Sequence, residues 1–260
     1  YRALMLGQPS QSELAGVLHK QGHTPDPAAI HAATEALRDA KAKAFADLLP
    51  NLYSANQVAG PFSPEAEPAG KRSLANAALS LLTRLDGGEA AAKQFKSADN
   101  MTLQLAAFGA LLDAGMGENA TTAFYEQWKN DRLVIDKWFS LQVMFAKPEY
   151  LATTVTNLTQ HADFDWKNPN RFRAVMGVMA AHHAGFHHTS GASYQVFADW
   201  LIKLDPVNPQ TTARMCSALQ TWKRYDADRQ ALLKAQLERI AGQNGLSRDT
   251  TEMVTRILEA

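Results

Sequence analysis

Along most of this chain apolar residues recur at i, i+3 and i+4, in blocks of about 10 to 20 residues, and the strict alternation of a strand is nearly absent. Short groups of Gly, Pro, Asn and Asp separate the blocks, as they do at helix ends. "SQSELAGVLHK" opens one block with Ser10 and Glu13 at capping-box spacing, where each side chain accepts a backbone N–H at a helix start. "PAAIHAATEALRDAKAKAFADLLPNLY" follows Asp26-Pro27 as a long amphipathic helix, with a disturbance expected near Pro50. The stretch 57–70, which holds Pro61, Pro64 and Pro68, reads as a loop and a candidate sub-boundary. Helical periodicity resumes directly in "KRSLANAALSLLTRL" and continues to "RDTTEMVTRILE".

The pattern therefore predicts an all-α fold of about a dozen helices, joined by short links that favour antiparallel hairpins. Pairs recur at roughly 35 to 45 residues without literal sequence repetition, which predicts a HEAT- or armadillo-like superhelical array. Residues 1–260 are expected to form one such domain. A compact irregular bundle is the structural alternative.

Composition narrows the function classes. At 260 residues the chain is long enough to bury a substantial core. Its 26 Lys and Arg balance 26 Asp and Glu, so the basic surface that nucleic-acid binding requires is not expected. No apolar run approaches the roughly 18 residues of a membrane span, and the first residues lack the zones of a signal peptide. The single cysteine, Cys216 in "ARMCSALQ", excludes an internal disulfide and reads as a small buried hydrophobe, consistent with a cytoplasmic setting. The chain begins without methionine, so a piece of a longer protein is expected.

Histidine is concentrated at one place. His182, His183, His187 and His188 fall within seven residues. On an unbroken helix, His183 and His187 would share a face, as zinc ligands can. Gly185 interrupts them, however, and no acidic residue or cysteine follows until Asp199. The expectation is a solvated polar helix end with no metal role. His31 and Glu35 form a generic i, i+4 pair. There is no G-x-S-x-G elbow, P-loop or G-x-G-x-x-G, and "GMGEN" (115–119) reads as one helix ending and the next beginning. No independent active site assembles, so the residues point to a binding or capping module.

Two helix starts carry more chemistry. "NPNRFR" and "NPQTTAR" each place Asn before Pro, at Asn168-Pro169 and Asn208-Pro209. Asn accepts a backbone N–H at the N-cap, and proline's fixed φ suits the first helical position. Arg171 and Arg173 follow in the first, Arg214 in the second, among apolar neighbours. Such arginines are either paired internally or line a solvated cavity, where guanidinium groups bind carboxylates.

Taken in order, "YRALML", "AGKRSLANAALSLL", "KSADNMT", "LVIDKWFSLQ", "NPNRFR" and "TWKRYDADRQ" resemble the C-terminal helical domain of bacterial aminopeptidase N, a family of zinc-dependent gluzincin metallo-aminopeptidases. The resemblance spans essentially the whole chain. It implies an enzyme that removes N-terminal residues from peptides, with zinc held by H-E-x-x-H in a catalytic domain. This chain has no H-E-x-x-H, and "GMGEN" departs from the family's G-A-M-E-N, so no metal or cofactor is expected here and the zinc would belong to a domain upstream. The resemblance further implies a superhelix that closes over its own catalytic domain, encloses a cavity and limits access to peptide substrates. By motif it assigns substrate binding to Arg173 and Arg214; Arg171 has only proximity. No nucleic-acid or membrane partner is expected. A free-standing helical-repeat adaptor that binds a protein partner is the alternative, and a small hydrolase using Cys216 or the histidines a third.

Overall fold

A computed structural model describes residues 2–260; Tyr1, the first residue of the matching "YRALML" string, lies outside them. The described residues contain seventeen α-helical segments and no strand, joined by short turns and a few 3-10 segments. The number exceeds the expected dozen because several blocks that read as single helices are divided. The block from Pro27 shows why. It is helical over Pro27–Ala44, opens into a turn, and restarts as Leu49–Ala55 with Pro50 in the first turn, where its missing N–H costs nothing.

The described residues fall into two compact units. One comprises Ala32–Asp131 with the N-terminal stretch up to Pro9; the other comprises Ser10–His31 with Arg132–Ala260. In the first unit, Leu49–Ala55 packs on Ala66–Leu82 and Glu89–Ser97 on Met101–Asp113, each pair consecutive in the chain. Ala42, Leu49, Ala78 and Leu81 form one buried cluster, and Phe108 stacks on Phe124 at 5.1 Å between ring centres. Residues 57–65 of this unit are irregular chain. "GMGEN" is a helix junction: Met116 N–H reaches Leu111 O at 2.8 Å and Gly115 N–H reaches Leu112 O at 3.0 Å, a Schellman closure that needs the positive φ of Gly115.

In the second unit, Ala192–Leu204 packs on Ala227–Ala241, and Pro209–Cys216 on Arg248–Glu259. Phe186 meets Tyr194 and Phe197 edge-on in its core. The buried Asp205 carboxylate accepts Ser247 N–H at 2.7 Å and the hydroxyls of Ser247 and Thr250, tying the turn after Leu204 to the start of the last helix. Ser10 and Glu13 form the complete capping box that their spacing predicts. No helix among the described residues is long and apolar enough to cross a membrane.

Candidate functional site

Asn168 and Asn208 both act as N-caps, accepting the N–H groups of Asn170 and Thr211, with Pro169 and Pro209 at the first helical positions. The first helix is unusual beyond its cap. It runs as Pro169–Phe172, continues through a π-helical turn at Arg173–Gly177, and returns to α geometry over Val178–Ala181. Within the wide turn, the Ala174 carbonyl accepts the Ser140 hydroxyl at 3.0 Å from the neighbouring helix Arg132–Met144. A π turn of this kind departs from regular helix hydrogen bonding and is frequent at functional sites.

Arg173 and Arg214 line one cavity of about 600 Å³ in the second unit. Gly177, Ala180 and Ala181 continue the wall on the side of Arg173; Gln210, Thr211, Met215, Ser217 and Ala218 complete it on the side of Arg214. No carboxylate lines it among the described residues. Arg173 is exposed and donates only to neutral oxygens, Pro169 O at 3.1 Å and Asn170 Oδ1 at 2.6 Å. Arg214 is exposed as well, and neither arginine forms an ion pair among the described residues. Two fixed positive charges thus share a hollow with hydroxyl and amide groups, an arrangement suited to an anionic group.

Arg171, two residues before Arg173, behaves oppositely. It is 5% exposed, pairs with Asp136, donates to the carbonyls of Asp163 and Arg132, and lies 4.9 Å over the Phe139 ring. A hollow of about 590 Å³ beside it is lined by Arg132 and Lys167 together with Asp136 and Asp165, so its charges are mixed.

The histidines correct the sequence reading. A solvated helix end is expected there, yet His183 and His187 are 7% and 6% exposed. His183 Nε2 lies 3.1 Å from the Tyr225 hydroxyl and His187 Nδ1 lies 2.8 Å from that of Tyr194. Burial, with neighbouring His182 and Arg229, pushes His183 down to about 4; burial, His183 and Arg229 drive His187 well below its ordinary range. His182 is a cap: its Nδ1 accepts Gly185 N–H, so Nε2 carries the proton and donates to Ala146 O at 2.8 Å. His188, half-buried like His182, bonds to Ser190. The helix breaks at His182, whose ψ of 80° separates Val178–Ala181 from His183–Phe186, and Gly185 lets Leu151 pack closely, since a Cβ there would stand 2.8 Å from Leu151 Cδ2 and 2.9 Å from its Cβ.

No group of three or more His, Cys, Asp or Glu among the described residues is arranged to hold a metal ion. Cys216 is fully buried, and burial pushes its thiol up to about 12, far from a thiolate nucleophile. His31 meets Gln11 at 3.0 Å, while Glu35 bonds Arg38 and Arg84.

Sequence reading passed over Asn170, Gln210, Thr211 and Ser217. Helical spacing could have found them: Asn170 precedes Arg173 by three, Gln210 and Thr211 precede Arg214 by four and three, and Ser217 follows it by three. The small residues Gly177, Ala180 and Ala181 follow Arg173 at i+4, i+7 and i+8, the same face kept open.

A family model described as "Domain of unknown function (DUF3458_C) ARM repeats" matches residues 1–259. Aminopeptidase N of Caulobacter vibrioides is 37% identical over 264 residues, a match that covers 99% of this chain and 30% of the relative. Aminopeptidase N of Escherichia coli is 36% identical, covering 98% of this chain and 29% of the relative. The crystal structure of Legionella pneumophila aminopeptidase A in complex with aspartic acid superposes with a TM-score of 0.87 at 28% identity, over 99% of this chain and 31% of that one. The chain thus spans about 30% of the length of the curated relatives it matches. It belongs to the DUF3458_C ARM-repeat family and corresponds to the C-terminal helical domain of bacterial aminopeptidase N.

Proposed function

We propose that this chain is the non-catalytic ARM-repeat domain of a zinc-dependent, cytoplasmic aminopeptidase that removes N-terminal residues from peptides. Its role is to cap that enzyme's catalytic domain, enclose the substrate cavity and control which peptides enter. The single observation that supports this reading most is the hollow holding Arg173 and Arg214, where two cations meet no carboxylate. A peptide's C-terminal carboxylate is the anion such an enzyme always encounters. A guanidinium binds it through paired N–H donors, and two of them raise the local concentration of anionic substrate.

This chain moves no proton in the reaction. It lacks the H-E-x-x-H that holds zinc in the family it resembles, and the zinc of the proposed enzyme is placed in the remainder of that enzyme. The domain's contribution is substrate position. In the full-length enzyme, Arg173→Ala and Arg214→Ala should each raise KM for tri- and tetrapeptides by about tenfold, the scale of one charge-assisted hydrogen bond. KM for single-residue chromogenic amides, which carry no peptide carboxylate, should change far less. Equal effects on both substrate types would refute carboxylate binding.

A further inference from the structure

A binding arginine has to be held still without losing its charge, and the structure meets both conditions at Arg173. Its guanidinium has five N–H donors. Nε donates to Pro169 O at 3.1 Å and one Nη2 hydrogen to Asn170 Oδ1 at 2.6 Å. Both acceptors are neutral, so the remaining three N–H groups keep the full positive charge for the cavity. The backbone that carries the Asn170 side chain is fixed in turn, since its N–H donates to the Asn168 cap at 3.0 Å. The π turn begins at Arg173, immediately after this anchored first turn.

We propose that Asn170 is the positioning residue of this cavity: its amide oxygen orients the Arg173 guanidinium toward the substrate carboxylate while leaving the charge uncompensated. The inference rests on the carboxylate-binding reading of the cavity. An aspartate at 170 could make the same hydrogen bond, and a stronger one, but would neutralise the arginine it orients. Residue type here sets substrate affinity as well as geometry.

That asymmetry supplies a test which a structural role cannot imitate. In the full-length enzyme, kcat/KM is measured for trialanine and for its C-terminal amide, beside the melting temperature, in Asn170→Asp, Asn170→Ala and Arg173→Ala. Asp in the first turn of a helix favours the helix dipole, so Asn170→Asp should melt no lower than the wild type. Its preference for the free acid over the amide should nevertheless fall about tenfold, as in Arg173→Ala, because the charge is cancelled. Asn170→Ala, which frees the arginine but keeps its charge, should lose about threefold. If Arg173→Ala loses the preference and Asn170→Asp keeps it, Asn170 positions nothing and the cavity reading stands. If both keep it, the cavity does not bind the carboxylate and both proposals fall. A lowered melting temperature with equal losses on acid and amide in the Asn170 variants would show a purely structural residue and overturn the inference.

Discussion

In the first unit, the Arg38 guanidinium meets Glu35 at 3.0 Å and pairs with Asp113, while Arg84 reaches Glu35 at 2.8 Å and Asp39 at 2.7 Å. In the second, Arg173 and Arg214 stand on a cavity of about 600 Å³ that contains no carboxylate. The side chain is the same and its surroundings are opposite. Arg38 and Arg84 are largely covered, and burial of a charge is tolerated only with a partner. Arg173 and Arg214 are exposed, so their hydration offsets the missing partner and leaves the charge available. Whether an arginine's charge is consumed by the fold or left available is thus decided by its carboxylates and its water, and both can be altered.

The largest effect should come where the contrast is closest in sequence. Arg171→Met keeps the stem against Phe139 but strands Asp136 without its cation, and breaking a buried pair costs about 4 kcal/mol. Arg38→Met in the first unit should cost about 3 kcal/mol, less because Arg84 still faces Asp113 and Glu35. Urea unfolding followed by tryptophan fluorescence measures both. If either variant unfolds at the wild-type midpoint, that arginine is not structural and the contrast dissolves at that position.

A smaller effect separates the units by pH. His183 and His187 are held neutral, so their folded-state values lie below the ordinary 6.5. A depressed value means stability present above pH 6.5 and lost as pH falls toward about 4, where His183 titrates. For Glu35, burial opposes the charged form, but Arg84 and Arg38 prevail and hold it below its ordinary 4.5. Its contribution therefore survives until pH drops below 4.5. Between pH 7 and 5 the protein should lose stability through both buried histidines, about 2 kcal/mol of it through His183. His183→Gln should flatten that slope; an unchanged slope would mean that the imidazole is solvated after all.

These comparisons also show what could be read in the chain before its structure. The local motifs were legible. Ser10 with Glu13, Asn168-Pro169, Asn208-Pro209 and "GMGEN" each specify a helix terminus within a few residues, and each forms as expected. The break at Pro50 was legible for the same reason. The histidines were not, because their burial depends on Tyr194 seven residues on and on Tyr225 and Arg229 about forty residues on. Nor was the π turn at Arg173–Gly177, whose Ala174 carbonyl bonds to Ser140, thirty-four positions earlier. Arg171 and Arg173 look alike in "NPNRFR", and it is the placement of Asp136, Phe139 and the carbonyls of Asp163 and Arg132 that sets Arg171 into the fold while Arg173 lines the cavity.

The smallest effect is the most exacting for that distinction. Arg173→Ala and Arg214→Ala should each shift folding stability by no more than about 0.5 kcal/mol, as for surface residues without special contacts. Arg173 gives up only hydrogen bonds to Pro169 O and Asn170 Oδ1, both exposed to water once the side chain is gone. Arg214 gives up no ion pair among the described residues. Removing one of two like charges on a shared hollow also relieves some repulsion, so a slight gain is within the expected range. The double variant should then be slightly less stable than the sum of the two effects, because the repulsion between the guanidiniums is relieved only once and neither side chain otherwise supports the other. A combined loss above about 2 kcal/mol, on the scale of a broken ion pair, would place these arginines with Arg38 and Arg171 among the residues that build the fold.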